Sequence, residues 1–334
     1  MSEASFAPRS GFFQTQVLIY NQRVTGRRKT VQVNTLSRGA YTSAPAPTAS
    51  SKQPETAAPQ DSFTPKNPDY KTPLMHKLAA AAVVGTGAWT GYNIISQIAA
   101  QPGIGAKVAA GAMALGGAAA GYVAADFGSG IFHHWVDNYP NPDKPGMVGK
   151  MAREFIHHHY HAHDMEEVSL TSNLWNAGRF LWAPMGAMAL ANPHYAVASA
   201  GLAFLSAGFM AQGFHRWAHM DNPPAVAKVL QKVGLAQTPE NHNTHHRPPW
   251  DQNYCIVNGM WNETLAKNDF WRKWEVGIQK VTGAEPNSWK DPSVKSLALG
   301  EITHEEFLAH RDENRKAFIE KIKEDGTIQR WSKA

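Results

Sequence analysis

Long uncharged runs dominate the middle of this 334-residue chain, where a soluble domain would show amphipathic alternation. From Leu78 to Ala100, 23 consecutive residues carry no charge. That is enough to cross a bilayer core, which takes about 20 helical residues. After the stretch QPGIGAK a second uncharged run extends from Val108 to Ala125. A third candidate covers Leu174 to Ala191, with Arg179 near its start, and a fourth runs from Tyr195 to Phe214 without any charge. The first two are heavy in Ala and Gly, which lowers hydropathy but permits close helix packing in a membrane. The pattern predicts an all-α polytopic membrane bundle of about four transmembrane helices. A pair of buried soluble helices is the competing reading for the first two runs, and their lengths favour the membrane.

The connections between these runs predict a topology. QPGIGAK and ANPH are short, so each joins an antiparallel pair. The amino-terminal tail, residues 126–173 and everything after residue 214 then share one membrane face. The two short turns contain a single basic residue, Lys107, while the opposite face holds nearly all the Lys and Arg. That distribution makes the opposite face the cytosol-like side.

Histidine placement sharpens the picture. The chain has 16 histidines, 13 of them between His133 and His246 and none in the first 75 residues. Twelve of those 13 fall on the predicted cytosol-like face as a His-rich cap. His194, in the ANPH turn, is the exception and is not expected to be a ligand. Cys255 is the only cysteine, so a disulfide within the chain, a zinc ribbon or an iron–sulfur cluster held by this chain alone is excluded. Any metal must be held by His, Asp or Glu. The net charge of +5 comes without a block of like charges or an aromatic-interleaved basic motif, so nucleic acid is not an expected partner.

Three regions follow from composition. Residues 1–70 are rich in Ser, Thr, Ala, Pro, Arg and Gln, with Glu3 the only acid before Glu55. That composition fits an organelle transit peptide, or else an ordinary disordered tail. Residues 75–290 hold the spans and the histidines. Residues 291–334 read as a soluble helical extension, with a helix around Glu305 to Asp325.

Four local patterns carry candidate chemistry. FHRWAH puts His215 and His219 four residues apart on one helix face. NHNTHH supplies His242, His245 and His246, which converge on one side of a helix. HHWVD supplies His133 and Asp137, and FIHHHYHAHD supplies His157, His158, His159, His161 and His163. Each alone is weak, and NHNTHH by itself reads equally as a polar loop. Together on one membrane face they supply eight or nine nitrogen and oxygen ligands and no thiolate, enough for two metals. There is no HExxH zinc motif, and HEEFL at His304 reads as surface helix. Imidazole suits iron, zinc and copper, and oxidation of an unactivated C–H bond at a membrane needs a redox metal with O₂.

At this point the chain resembles a known family. DFGSGIFHHWVD, FIHHHY, FHRWAH and NHNTHHRPPWDQNYCIVNGMWN look like the successive motifs of the membrane lipid desaturase family, over roughly Lys77 to Trp289. That family includes plasmanylethanolamine desaturase and the plant plastid enzyme that makes 3-trans-hexadecenoate in phosphatidylglycerol. The resemblance implies a metal set of His133, Asp137, His158, His159, His215, His219, His242, His245 and His246. His134, His157, His161 and His163 are extra histidines at sites where several family members have none, and within the run 157–159 the pairing with the family's two histidines is open by one position. It also implies two non-haem irons with O₂ as co-substrate, and a membrane phospholipid as substrate.

No flavin, nicotinamide or haem-attachment motif is present in the sequence, so electrons are expected from a separate donor. Ferredoxin fits a plastid location, and a cytochrome b5 system fits the endoplasmic reticulum membrane. The transit-like tail favours the plastid, and with it a 3-trans desaturation of palmitate at sn-2 of phosphatidylglycerol. The alternatives are a vinyl-ether-forming desaturase, a histidine-box hydroxylase, and a haem or pigment protein of another class. Asp126 reads as a headgroup-level residue or a polar anchor inside the bundle. Trp135, Trp175, Trp182 and Trp217 read as interfacial anchors, and Cys255 as a packing residue.

Overall fold

The computed structural model describes residues 65–247, 251–311 and 313. Residues 1–64 of the expected transit-like tail, and most of the helix expected around 305–325, lie outside the described residues. Among the described residues there are helices and no strands.

Four long helices form the bundle. Helix α1 spans Leu74–Ala99 and α2 spans Gly103–Asn138, joined by a turn at Pro102. After α3 (Met147–Tyr160) and a 3₁₀ turn (Ala162–Glu166), α4 covers Leu170–Ala191 and α5 covers Tyr195–His219. The α4–α5 turn reverses at Asn192, whose φ of 43° is the left-handed conformation that Asn tolerates. Gln97 of α1 fastens that turn. Its amide donates to Asn192 Oδ1 and to the Pro193 carbonyl, both at 3.0 Å, and its carbonyl oxygen accepts from the Tyr195 N–H at 2.9 Å.

Three helices, α1, α2 and α5, are long and apolar enough to cross a membrane. The expected third span, α4, has the length but carries Asn173, Asn176, Arg179 and an internal Pro184, which leaves it less apolar than the others. It packs between the bundle partners α1 and α5 all the same.

Helix α5 is central, lying against α1, α2 and α4. Its approach to α2 depends on two glycines one turn apart. A Cβ on Gly117 would stand 2.3 Å from the Ala196 carbonyl oxygen, and one on Gly121 would stand 2.0 Å from that of Ala200. Backbone meets backbone here, the packing that small residues allow between membrane helices. The Ala- and Gly-rich composition of the second run is thus the reason for the tight α2–α5 pair.

Helix α2 runs 36 residues without a break, about 54 Å at 1.5 Å per residue. It outlasts its apolar stretch and carries HHWVD into the cap on the same rod. The cap holds α3, α6 (Ala225–Lys232), α7 (Pro239–His245), α8 (Asn262–Lys267), α9 (Phe270–Thr282) and α10 (Pro292–Leu299), with a further helical stretch at 304–311. The residues just before α1 pack against it too: Tyr70 donates to Ser172 Oγ at 2.6 Å, and Lys66 pairs with Glu166 at 3.0 Å.

Asp126 ties the cap to the bundle. Fully buried on α2, its Oδ1 accepts N–H bonds from Val257 (3.2 Å), Asn258 (3.0 Å) and Gly259 (2.9 Å), and its Oδ2 accepts from Trp261 (3.2 Å). The Trp261 indole donates back to the Val123 carbonyl at 3.0 Å. Of the two readings of Asp126, the geometry is that of a polar anchor inside the protein. Ser129 and Gly130, one turn on, continue the seam. Ser129 Oγ accepts from the Ile256 N–H at 3.0 Å, and a Cβ on Gly130 would meet Cys255 Sγ at 2.5 Å.

Cys255 is buried there and packs with Tyr254, Leu265 and Trp271, and burial holds its thiol well above the usual range. Trp135, near the end of α2, and Trp182, in the middle of α4, are exposed (40% and 53%). Trp175 stacks on His76. Trp217 differs from the expectation: it is only 3% exposed, because the last turn of α5 is enclosed by the cap.

Two substitutions test this framework. Gly121→Val should cost about 2–3 kcal/mol, since overpacking against a backbone cannot relax by a rotamer change. Asp126→Ala should cost at least as much by stranding four donors, each buried unsatisfied group costing about 1–3 kcal/mol. Thermal unfolding in detergent reads both, and a wild-type midpoint in either variant would contradict the account.

Candidate metal centre

Four elements bring the histidine patterns to one place. Residues 133 and 137 share a face of α2, and 215 and 219 share a face of α5, each pair one turn apart. Helix α3 carries the consecutive histidines 158 and 159, which point about 100° apart around the helix. The loop box NHNTHH is the short helix α7, started by Thr238, whose side chain accepts from the Asn241 N–H, with Pro239 in its first turn. The alternative of a polar loop therefore falls: His242 and His245 are fully buried.

The nine expected ligands divide into two abutting groups. The first holds His158, His215, His219, His242 and His246; the second holds His133, Asp137, His159 and His245. Within each group one atom from every residue lies within 4.8 Å of the others. In the first group His158 Nε2 lies 2.8 Å from His215 Nε2 and 3.0 Å from His219 Nε2, and His242 Nε2 lies 2.9 Å from His219 Nε2 and 3.0 Å from His246 Nε2. In the second, His159 and His245 approach Nε2 to Nε2 at 3.0 Å. Asp137 Oδ2 sits 3.4 Å from His133 Nε2, 3.5 Å from His159 Nε2 and 3.4 Å from His245 Nε2. The groups share a wall, with the His133 and His215 rings 5.8 Å apart and those of His159 and His246 5.3 Å apart.

The donor chemistry fits cations. A buried carboxylate normally collects hydrogen bonds, yet neither oxygen of Asp137 finds one among the described residues. Backbone carbonyls fix the tautomers of two rings. His133 Nδ1–H donates to the Tyr254 carbonyl at 3.0 Å, and His245 Nδ1–H donates to the Gln252 carbonyl at 2.9 Å. Each Nε2 is then a lone pair aimed at the centre, the arrangement found in metal-ligating histidines. Nε2 atoms at 2.8–3.0 Å can share at most one proton per pair, so a five-imidazole cluster is left with unshared lone pairs.

The remaining histidines sort themselves by position. His134 faces the other way, with Nε2 3.1 Å from Glu275 Oε1 and its ring stacked on Trp271. His163 Nδ1 pairs with Glu166 at 2.8 Å, outside both groups. His157 and His161 stack on each other beside Asp164, apart from the centre. His194 caps α5 in the turn at the opposite end of that helix from His215 and His219. Sequence reasoning missed the orienting carbonyls of Tyr254 and Gln252, which have no side-chain signature, and the Glu275 partner of His134, for which there was no spacing signal.

Three helices long and apolar enough to cross a membrane, and two adjoining imidazole-rich groups of donors compatible with metal binding, are the features of a membrane metalloprotein. The lipid desaturase domain family matches residues 122–289, a range that contains all nine residues, and the chain belongs to this family. It is 32% identical over 179 residues to a protein named fatty acid desaturase 4-like 1, chloroplastic, of Arabidopsis thaliana, covering 52% of this chain and 59% of the relative. It is 32% identical over 176 residues to the plasmanylethanolamine desaturase of Myxococcus xanthus, covering 50% and 60%. With plasmanylethanolamine desaturase 1 of Mus musculus it shares 30% identity over 186 residues, covering 52% and 67%. The match thus spans about six-tenths of the first two relatives. No solved structure gives a significant match.

Burial makes the site sensitive to acid when metal-free. Desolvation, the largest cause, with His245 adding and Asp137 opposing, brings His159 down to about 4 from 6.5. His158, His242 and His246 are also pushed far down by burial and by one another. The folded-state values lie below the unfolded ones, so the stability these residues contribute is complete above pH 6.5. It is lost as pH falls from 6.5 toward 4, where the unfolded chain takes up protons that the folded chain refuses. The melting temperature of chelator-treated protein should therefore fall between about pH 7 and pH 5; a flat profile would count against buried neutral imidazoles.

Proposed function

We propose that this chain is an O₂-dependent acyl-lipid desaturase with two irons. The five histidines of the first group would hold one, and His133, Asp137, His159 and His245 the other. The carrying observation is the Asp137 carboxylate, buried without a hydrogen-bond donor and ringed by three imidazoles at 3.4–3.5 Å. Iron there supplies the redox capacity to use O₂ against an unactivated C–H bond. Overall, two adjacent CH₂ groups, O₂, two electrons and two protons become a C=C bond and two waters. The chain's own contribution is to hold the imidazoles in fixed tautomers, keep water out with Tyr254 and Trp271, and present the lipid.

The depth of the site supports attack near the glycerol end of a chain. His133 stands eight residues beyond Ala125, where the uncharged run ends, a rise of about 12 Å along α2. Phe132 and Trp135 beside it are 45% and 40% exposed, an aromatic edge of the kind found at the membrane interface. At that level a carbon adjoining the glycerol would reach the site directly, whereas a mid-chain carbon would have to be drawn out of the bilayer core. This suits a 3-trans bond in palmitate at sn-2 of phosphatidylglycerol. It equally suits the vinyl-ether bond named for the bacterial and mouse relatives.

The chloroplastic name of the plant relative and the transit-like tail favour the plastid reading, with ferredoxin as electron donor. A haem or pigment protein typically presents axial histidines singly from within its spans, with open space over the ring nitrogen. Here the histidines instead pack as a cluster, Nε2 to Nε2 at 2.8–3.0 Å, which favours the metal reading.

Two measurements test this reading. Elemental analysis should find two irons per chain. His219→Ala and His245→Ala should each lose about one of them, and retention of both in either variant would refute the ligand division. Expression in a host lacking trans-3 and vinyl-ether lipids, followed by acyl analysis by lipid class, should show a product lighter by two hydrogens in phosphatidylglycerol. His246→Ala should abolish it. A product heavier by one oxygen would make the protein a hydroxylase, and a vinyl ether in ethanolamine lipids would shift the substrate assignment.

A further inference from the structure

Outside the two groups a third set of metal-type donors remains. His157, His161 and Asp164 each offer an atom, all within 4.8 Å of one another. They come from one local run of chain. His157 is in the last turn of α3, His161 caps that helix, and Asp164 is in the 3₁₀ turn that follows. Backbone bonds preorganise the run, with His161 N–H donating to the His157 carbonyl and Asp164 N–H to the His161 carbonyl, both at 3.0 Å.

The side chains are not used up by an ordinary surface ion pair. His157 Nε2 lies 2.8 Å from Asp164 Oδ2, which accounts for one nitrogen. His157 Nδ1 and His161 Nε2 are both shielded from solvent and have no hydrogen-bond partner among the described residues. The two rings stack nearly parallel, 4.5 Å apart at 16°. Asp164 is 54% exposed at its side chain, which leaves the site open to solvent.

We propose that His157, His161 and Asp164 form a third, solvent-exchangeable site for a divalent transition metal of the zinc class, separate from the two-metal centre. Two imidazoles and a carboxylate with open positions are a recognised donor set for such ions. With metal–ligand bonds of about 2 Å, ligand atoms of one ion lie roughly 3–4 Å apart, close to the 4.8 Å within which these three donors already lie. The same turn of chain carries His158 and His159. An ion in the outer site would therefore brace the corner from which α3 presents one imidazole to each inner group.

The test uses the full chain purified with its resident metals and dialysed against Zn²⁺ alone. Wild type should take up one equivalent of zinc more than His161→Ala or Asp164→Asn, and all three proteins should keep the same resident metal content and helical circular dichroism. Zinc should raise the melting temperature of wild type and leave that of Asp164→Asn unmoved, as a ligand bound only by the folded state requires. Equal zinc uptake and equal thermal response in wild type and Asp164→Asn would overturn the proposal. Should His161→Ala unfold, the exposed Asp164 variant carries the comparison by itself. Because only this difference is read, the outcome does not depend on what metal the inner groups hold.

Discussion

Eight imidazoles and one carboxylate taken out of water together are the constraint on which the rest of this structure depends. Six of the nine residues are buried: His133, Asp137, His215, His219, His242 and His245. Desolvation keeps the rings neutral, and neutral rings leave lone pairs facing one another at hydrogen-bond distance. Such a cluster is not a favourable core by itself. It persists because α2, α3, α5 and α7 are each held in place by contacts that do not involve the histidines.

Those contacts are of two kinds. In the bundle, Gly117 and Gly121 let α2 and α5 meet backbone to backbone, which sets the spacing between the 133/137 pair and the 215/219 pair. In the cap, Asp126 gathers the 257–261 loop by four backbone N–H groups, and the chain just before that loop supplies the Tyr254 and Gln252 carbonyls that orient His133 and His245. Arg216, itself buried, donates to the Met165 and Val168 carbonyls, anchoring the segment that follows α3. Each support ties a helix emerging from the bundle to a loop returning to it.

Much of this was legible in the sequence. Uncharged length located the spans, and the two short turns placed the histidine-bearing segments at one end of the bundle before any contact was known. Spacing at i and i+4 marked the α2 and α5 pairs. What spacing could not resolve was FIHHHYHAHD, because neighbouring helical residues point about 100° apart and the face that looks inward depends on how α3 docks. The family motif singles out His158 and His159, and the packed structure puts them in the two groups while His157, His161 and His163 lie outside both. Helix α4 shows the opposite case: its polar residues lower its apolarity, yet its place beside α1 and α5 is set by packing. The orienting carbonyls belong to the backbone, and no residue type announces them.

The consecutive histidines of α3 have a mechanical meaning. His158 enters one group and His159 the other, from the same rigid turn of helix. A rotation of α3 that drives one ring inward must swing its neighbour along the same arc, so neither group can be adjusted alone. If both groups hold metal as proposed, the helix would work as a cam between two seats, and an ion in the first would set the angle at which the second is offered.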